Sequence, residues 1–256
     1  MRSRMLYVLP NLFTITSIAF GIYSIIVATG ARDGSDMMRA AVAIIFGIFC
    51  DMVDGRVARL TKTQSDFGVQ LDSLADLVTF GVAPSILLYT WGLSDLGIVG
   101  MGAAILFTVC GALRLARFNV MANRHKGVMK FFTGLPIPAA AGFAASLVLM
   151  IASFGDNATL QPLNVLALVV VLSYLMISNI RYRTFKDLKP GPVTAAFGLF
   201  VLFIAGYTAM KVNVPVMLFG LGSAYVALGL VEEVIFYRRR RLAERAEEEE
   251  EEEEYV

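Results

Sequence analysis

Histidine and cysteine are nearly missing from this chain, with one His and two Cys among 256 residues. Two cysteines make no disulfide framework. Cys50 and Cys110 both fall inside apolar runs, where a free thiol behaves as a small buried hydrophobe. The lone His125 sits in a loop, so the nitrogen and sulfur ligands that zinc prefers are not on offer. Charge is scarce as well: 17% of residues are Asp, Glu, Lys or Arg, and the net charge is +1. No polar stretch is long enough to form a soluble domain, and no internal repeat is visible.

What is abundant is apolar sequence. Hydrophobic residues make up 57% of the chain and the mean hydropathy is +0.68, beyond the usual range for a soluble globular domain. A helix needs roughly 20 mostly apolar residues to cross a bilayer. Eight such segments can be placed, near 8–29, 39–60, 66–90, 97–118, 134–154, 162–180, 192–210 and 214–237. The expected fold is therefore all-α, a polytopic helical membrane protein with one transmembrane domain over 1–237. The first segment is too long for a signal h-region and has no small-residue cleavage site, so it reads as the first span.

Of the 22 Lys and Arg residues, all but Arg32, Arg39 and Lys211 fall in the segments on one side of this arrangement. The positive-inside rule makes that side cytoplasmic, which puts both termini in the cytosol, as an even number of spans requires. Residues 238–256 form a low-complexity tail, Arg238 to Arg241 and then eight glutamates, Glu247 to Glu254. Like charges in such a run repel one another and keep it disordered. The arginines before it read as a headgroup anchor rather than a nucleic-acid patch.

Against this apolar background four aspartates stand out: Asp51, Asp54, Asp72 and Asp76. A carboxylate within a span costs at least a few kcal/mol, so it faces a polar cavity or a cation and usually marks function. Asp51 and Asp54 are spaced i, i+3, and Asp72 and Asp76 i, i+4, so each pair shares one helix face. The short connection 60–65 makes the two helices antiparallel neighbours and lets all four carboxylates converge. From the helical rise, Asp51 and Asp76 lie roughly 13 to 15 Å below the cytoplasmic surface, and Asp54 and Asp72 about 9 Å below it. An all-oxygen ligand set selects Mg²⁺, Mn²⁺ or Ca²⁺. Paired divalent ions suit displacement at phosphorus. Gly55, Ala58 and Gly68 remove bulk where phosphates could approach the backbone, or simply allow close helix packing. Arg59 can pair with phosphate oxygens or snorkel to the interface.

Together these positions read Asp51-x2-Asp54-Gly55-x2-Ala58-Arg59-x8-Gly68-x3-Asp72-x3-Asp76. The pattern resembles the CDP-alcohol phosphatidyltransferase signature at every defined position. Three further segments resemble the integral-membrane, serine-accepting branch of that family: Pro10-Asn11-Leu12-Phe13-Thr14, Arg114-Leu115-Ala116-Arg117-Phe118-Asn119, and the stretch from Phe132 through Gly134, Pro136 and Pro138. The resemblance implies two Mg²⁺ or Mn²⁺ ions held by Asp51, Asp54, Asp72 and Asp76, with Asp76 also taking the proton of the attacking hydroxyl. It implies that Asn11, Thr14, Gly55, Arg59 and Gly68 contact the CDP moiety. The implied substrates are CDP-diacylglycerol and L-serine, the products phosphatidylserine and CMP, the setting a cell (inner) membrane with the site open to the cytosol, and the assembly a homodimer.

Recognition of a zwitterionic amino acid needs a cation for its carboxylate. Arg114 and Arg117, spaced i, i+3 at a cytoplasmic helix end, are candidates, although either could serve as a positive-inside anchor. Asn119 and Lys130 are second-rank candidates. Glycerol 3-phosphate, an inositol phosphate and choline are alternative acceptors for the same chemistry. An ion-coupled transporter is the remote alternative; it would disperse its carboxylates along a path rather than cluster them near one surface.

Overall fold

A computed structural model describes residues 2–61, 65–124, 131–155, 160–183, 213–231 and 233. The chain forms helices α1 (Arg2–Thr29), α2 (Gly34–Thr61), α3 (Asp66–Asp76), α4 (Ala83–Leu88), α5 (Ile98–Arg124), α6 (Ile137–Ala152) and α7 (Pro162–Ile177), then α8 (Val214–Val231). Two three-residue strands, β1 (Phe131–Thr133) and β2 (Arg181–Arg183), pair antiparallel with Phe132 opposite Tyr182. The helical membrane architecture expected from the apolar runs is present. The segment 192–210, read as a seventh span, lies outside the described residues, as do Lys130 and the whole tail 238–256.

Long apolar helices capable of crossing a membrane are Asn11–Thr29, Phe67–Leu96, Ile98–Met121 and Val214–Val231, while α6 and α7 are apolar but shorter. α2 fits the length but carries Arg39 and Arg56, which are exposed, and Asp51 and Asp54, which it turns inward. Many large side chains on the outer faces point away from the protein, among them Leu12, Ile15 and Ile26 of α1 and Val99, Ile105 and Leu113 of α5. An exterior of this kind suits lipid, in which helix association depends on packing and hydrogen bonds rather than on hiding apolar surface. α2 packs against α6, and both helices bury small residues, Ala40, Ala41 and Ala43 in α2 and Ala140, Ala141, Ala144 and Ala145 in α6.

The third span departs from a plain helix. α3 and α4 are joined by a π-helical turn, Leu77–Val82, and a second one, Tyr89–Leu93, follows α4 before a 3₁₀ turn, Ser94–Leu96. Pro84 lies at the start of α4, and its ring nitrogen cannot donate to the carbonyl one turn back. A widened turn next to it is the accommodation expected of a helix that must keep going. The Gly81 carbonyl accepts a hydrogen bond from the Thr108 hydroxyl of α5 at 3.2 Å.

Thr79, inside the first π turn, locks the three leading helices together. Its hydroxyl donates to the Ser17 carbonyl of α1 at 3.0 Å, and the Ser17 hydroxyl donates to the Gly47 carbonyl of α2 at 3.1 Å. Gly21 and Gly47 make room for it: a Cβ at Gly21 would stand 2.8 Å from Thr79 Oγ1, and one at Gly47 would stand 2.6 Å from Thr79 Cγ2. This junction sits one turn from Asp76 on one helix and one turn from Asp51 on the other. It sets their separation.

At the opposite end of α1 and α2, Asp33 accepts from the Asp36 N–H at 3.0 Å and from the Ser35 hydroxyl at 2.8 Å. That is an N-cap for α2. Arg39 pairs with Asp36 at 3.1 Å one turn further on. These two hydrogen bonds, the Ser35 one foremost, hold the Asp33 carboxyl below its ordinary range.

The expected span boundaries shift in instructive places. The fourth span runs on to Arg124 rather than ending near 118. The fifth starts at Ile137, because Gly134 adopts φ 80° and Pro136 is extended ahead of the helix. The sixth stops at Ile177 and gives way to β2 rather than continuing to 180. The ribbon is tied to the helices by the Gly134 N–H, which donates to Ile180 O at 2.8 Å, and the Leu135 N–H, which donates to Leu175 O at 2.9 Å.

Candidate active site

α2 and α3 bring three of the four aspartates to one point. Oxygens of Asp51, Asp72 and Asp76 all lie within 4.8 Å of one another. Between ionised carboxylates at 4.8 Å the repulsion is about 3 kcal/mol at an effective dielectric near 20. Such a cluster calls for a counter-charge. Oδ1 of Asp76 is buried and has no hydrogen-bond partner among the described residues, so a strong acceptor is left open on a member of this crowded group. An orphaned carboxylate oxygen among all-oxygen donors fits a hard divalent cation.

Asp54 is the fourth member and stands slightly apart. It is 4% exposed and its Oδ2 accepts from the Thr14 hydroxyl of α1 at 2.8 Å. That bond fixes the carboxylate and directs one face of α1 to the site. Asn11, one turn earlier on α1, lies on the same side: its Oδ1 is 3.6 Å from the point a Cβ on Gly68 would occupy. Gly68 itself belongs to the first turn of α3, where its N–H donates to the Ser65 hydroxyl at 3.0 Å. Ser65 is an N-cap in extended conformation, so the start of α3 is fixed just where the aspartate spacing requires it. A Cβ at Gly55 would meet nothing within 4 Å. Among the described residues the space beside Asp54 is therefore open rather than packed. Arg59 follows Gly55 by one turn on α2.

The basic candidates separate. Arg114 is 7% exposed, its guanidinium carbon 5.5 Å from the centre of the Phe118 ring, and its charge acts on both Asp76 and Tyr225 of α8. Arg117 points elsewhere. It donates to Asn179 Oδ1 at 2.7 Å and to the Ile177 carbonyl at 3.4 Å, at the C-terminal end of α7, where a cation also complements the helix dipole. The structure thus gives Arg117 a tethering contact away from the carboxylates. Asn119 donates to the Ser73 hydroxyl at 2.9 Å, which fastens α5 to α3 beside Asp72. Reading the sequence passed over Thr79, Tyr182 and Tyr225. Thr79 and Tyr225 are polar groups in apolar runs, the same signal that exposed the aspartates, but hydroxyls are too common in spans to stand out, while Tyr182 lies between Arg181 and Arg183 in a polar segment that carries no such signal.

A family model described as CDP-alcohol phosphatidyltransferase matches residues 7–231, which takes in both aspartate helices, the Asn11 and Thr14 face of α1, and α8. The chain belongs to that family. Among curated relatives, it is 42% identical over 184 residues to the CDP-diacylglycerol--serine O-phosphatidyltransferase of Helicobacter pylori (strain ATCC 700392 / 26695), covering 72% of this chain and 75% of the relative. It is 41% identical over 150 residues to the enzyme of the same name from Bacillus subtilis (strain 168), covering 58% and 77%. With that of Mycobacterium leprae (strain TN) it shares 36% over 217 residues, covering 83% and 70%.

Proposed function

We propose that this integral membrane protein transfers the phosphatidyl group of CDP-diacylglycerol to the hydroxyl of L-serine, forming phosphatidylserine and releasing CMP. The observation that carries the reading is the three-carboxylate cluster with its open Asp76 oxygen, set on the two helices that bear the family signature. The name shared by the relatives above supports serine as the acceptor. Asp51, Asp54, Asp72 and Asp76 would hold two divalent ions, Mg²⁺ or Mn²⁺. Bound there, such ions supply charge neutralisation for the pyrophosphate and for the departing CMP.

The remaining work falls to side chains of the chain itself. Asn11, Thr14, Gly55, Arg59 and Gly68 seat the CDP moiety, the two glycines leaving the backbone approachable and Arg59 pairing with phosphate oxygens. Asp76 takes the proton of the serine hydroxyl as its oxygen attacks the phosphorus that carries diacylglycerol. A new P–O bond forms to serine, the bond to the CMP oxygen breaks, and CMP leaves with the electron pair. Arg114, buried next to Asp76, is the cation for the serine carboxylate. Arg117, Asn119 and Lys130 are secondary to it, since Arg117 and Asn119 have structural ties of their own. The basic residues on one side of the spans favour cytoplasmic termini and a site open to the cytosol, where water-soluble serine meets the lipid. A homodimer is part of the same reading.

The test is CMP release by the detergent-solubilised full chain given CDP-diacylglycerol and Mg²⁺ or Mn²⁺, with serine, glycerol 3-phosphate, an inositol phosphate or choline supplied separately. Release and lipid labelling with serine alone is the expected result. Turnover with a different acceptor alone would keep the reaction class and overturn the assignment of serine.

A further inference from the structure

The carboxylate cluster does not end at Asp76. On its inner side a chain of polar groups leads away from it through the apolar bundle: Arg114 of α5, then Tyr225 of α8, then Tyr182 of β2. Arg114 interacts electrostatically with both Asp76 and Tyr225. The rings of Tyr225 and Tyr182 lie 5.8 Å apart, tilted by 32°. Tyr182 is 1% exposed and its hydroxyl is buried with no hydrogen-bond partner among the described residues. Burial, with Tyr225 beside it, pushes that hydroxyl up to about 12, so it stays a proton donor at any physiological pH. Leaving a buried hydroxyl unbonded is costly, and Tyr182 Oη and Asp76 Oδ1 are both buried polar atoms without a hydrogen-bond partner among the described residues, at the two ends of a chain of groups that includes the one buried guanidinium among them.

The docking of α8 here is specific. A Cβ on Gly229 would collide with the edge of the Tyr182 ring, so the glycine lets the helix backbone lie directly against β2. Tyr225 is one turn earlier on the same face of α8. The ribbon that carries Tyr182 is itself pinned by Gly134, whose Cβ would collide with the Met176 carbonyl. Backbone features as demanding as these are expected where a side chain must be delivered to a fixed place rather than merely to fill space.

We propose that Arg114, Tyr225 and Tyr182 form the subsite for the anionic end of the acceptor, with α8 as its wall. An acceptor whose carboxylate lies on Arg114 and receives the tyrosine hydroxyls presents its own hydroxyl toward Asp76. The last helix is then part of the acceptor pocket, and the site takes a small amino acid in preference to an uncharged alcohol, because a carboxylate pairs with the guanidinium charge and accepts from the Tyr182 hydroxyl, which has no hydrogen-bond partner among the described residues. This rests on the reading of serine as acceptor.

The experiment compares the full-length protein with Tyr225→Phe and Tyr182→Phe, which keep the ring packing and remove only the hydroxyl. Initial rates of phosphatidylserine formation are measured against serine at saturating CDP-diacylglycerol, and against CDP-diacylglycerol at saturating serine. The expected result is a KM for serine raised about tenfold in Tyr225→Phe, with the KM for CDP-diacylglycerol within about twofold of wild type. Tyr182→Phe moves in the same direction. The rise in melting temperature produced by CDP-diacylglycerol with Mg²⁺ stays as in wild type, which separates a lost acceptor contact from a damaged fold. Equal changes in both KM values, or an unchanged KM for serine in both variants, would overturn the subsite. Wild-type protein that makes no phosphatidylserine but uses another acceptor would overturn the serine reading instead.

Discussion

Asp76 is set apart from the other carboxylates by its open Oδ1, its place in the crowded trio and the guanidinium of Arg114 beyond it. A general base contributes 10² to 10⁴ in rate, so Asp76→Asn is expected to lower CMP release about a thousandfold. Asparagine is nearly the same shape and removes one charge from a self-repelling group, so the metal-free variant should melt at or above the wild-type temperature. A drop of several degrees would show that the carboxylate stabilises the fold rather than straining it. Asp33 is the contrasting case, a carboxylate with a purely structural duty at the far end of α2. Its folded pKa is lowered from 3.8 by the Ser35 and Asp36 hydrogen bonds. The stability it adds is therefore complete above the unfolded value and is lost as pH falls through the folded one. Asp33→Ala should melt slightly lower than wild type at pH 7, with the gap closing as pH falls through the lowered pKa of the folded carboxyl. A gap that persisted in acid would show that something other than the ionised cap is at work.

At the scale of the helices, the site depends on how closely α1, α2 and α3 approach one another, and Thr79 governs that approach. In Gly47→Ala the new Cβ would sit 2.6 Å from Thr79 Cγ2, and neither backbone can yield without moving Asp51 away from Asp76. Overpacking of this sort costs about 1 to 3 kcal/mol, and the displacement should lower activity with it. Thr79→Ser removes the offending methyl and keeps the hydroxyl that donates to Ser17. The double variant is expected to recover about 1 kcal/mol or more relative to the sum of the single changes. Denaturant unfolding in detergent measures this, and strict additivity would sink the account. This contact could not be read from the sequence. Helix positions were legible because apolar length alone marks a span, and the convergence of Asp51, Asp72 and Asp76 was legible because i, i+3 and i, i+4 spacing fixes a face. The π turns around Pro84, the ribbon of β1 and β2 and the Thr79 wedge arise from contacts between distant segments, which periodicity does not encode.

For the molecule as a whole, the same distinction explains what could be foreseen about the site. Asp54 and Thr14 lie 40 positions apart and were both singled out, but the 2.8 Å hydrogen bond that joins them appears only in three dimensions. Arg114 and Arg117 look equivalent as a pair at i, i+3, yet one is buried beside Asp76 and the other is committed to Asn179, because a step of three residues on α5 is enough to reach a different neighbour. Tyr225 was invisible for the opposite reason: nothing near it in the sequence hints that α8 returns to the centre. A bundle whose polar residues come from α1, α2, α3, α5 and α8 should respond to its cation as one unit. Divalent ion bound only by the folded chain adds about 2.7 kcal/mol at a hundred times its dissociation constant. For a chain of this size that amounts to a rise of about 5 to 10 °C in melting temperature. The rise should be reversed by chelator and should be absent from Asp51→Asn and Asp72→Asn, each of which removes a charge from the cluster while leaving its helix intact. Asp33→Ala, at the other end of α2, should keep it. A wild-type protein whose melting temperature ignored millimolar Mg²⁺, Mn²⁺ and Ca²⁺ alike would mean that the three carboxylates share protons rather than a metal, and the proposed chemistry would lose its cation.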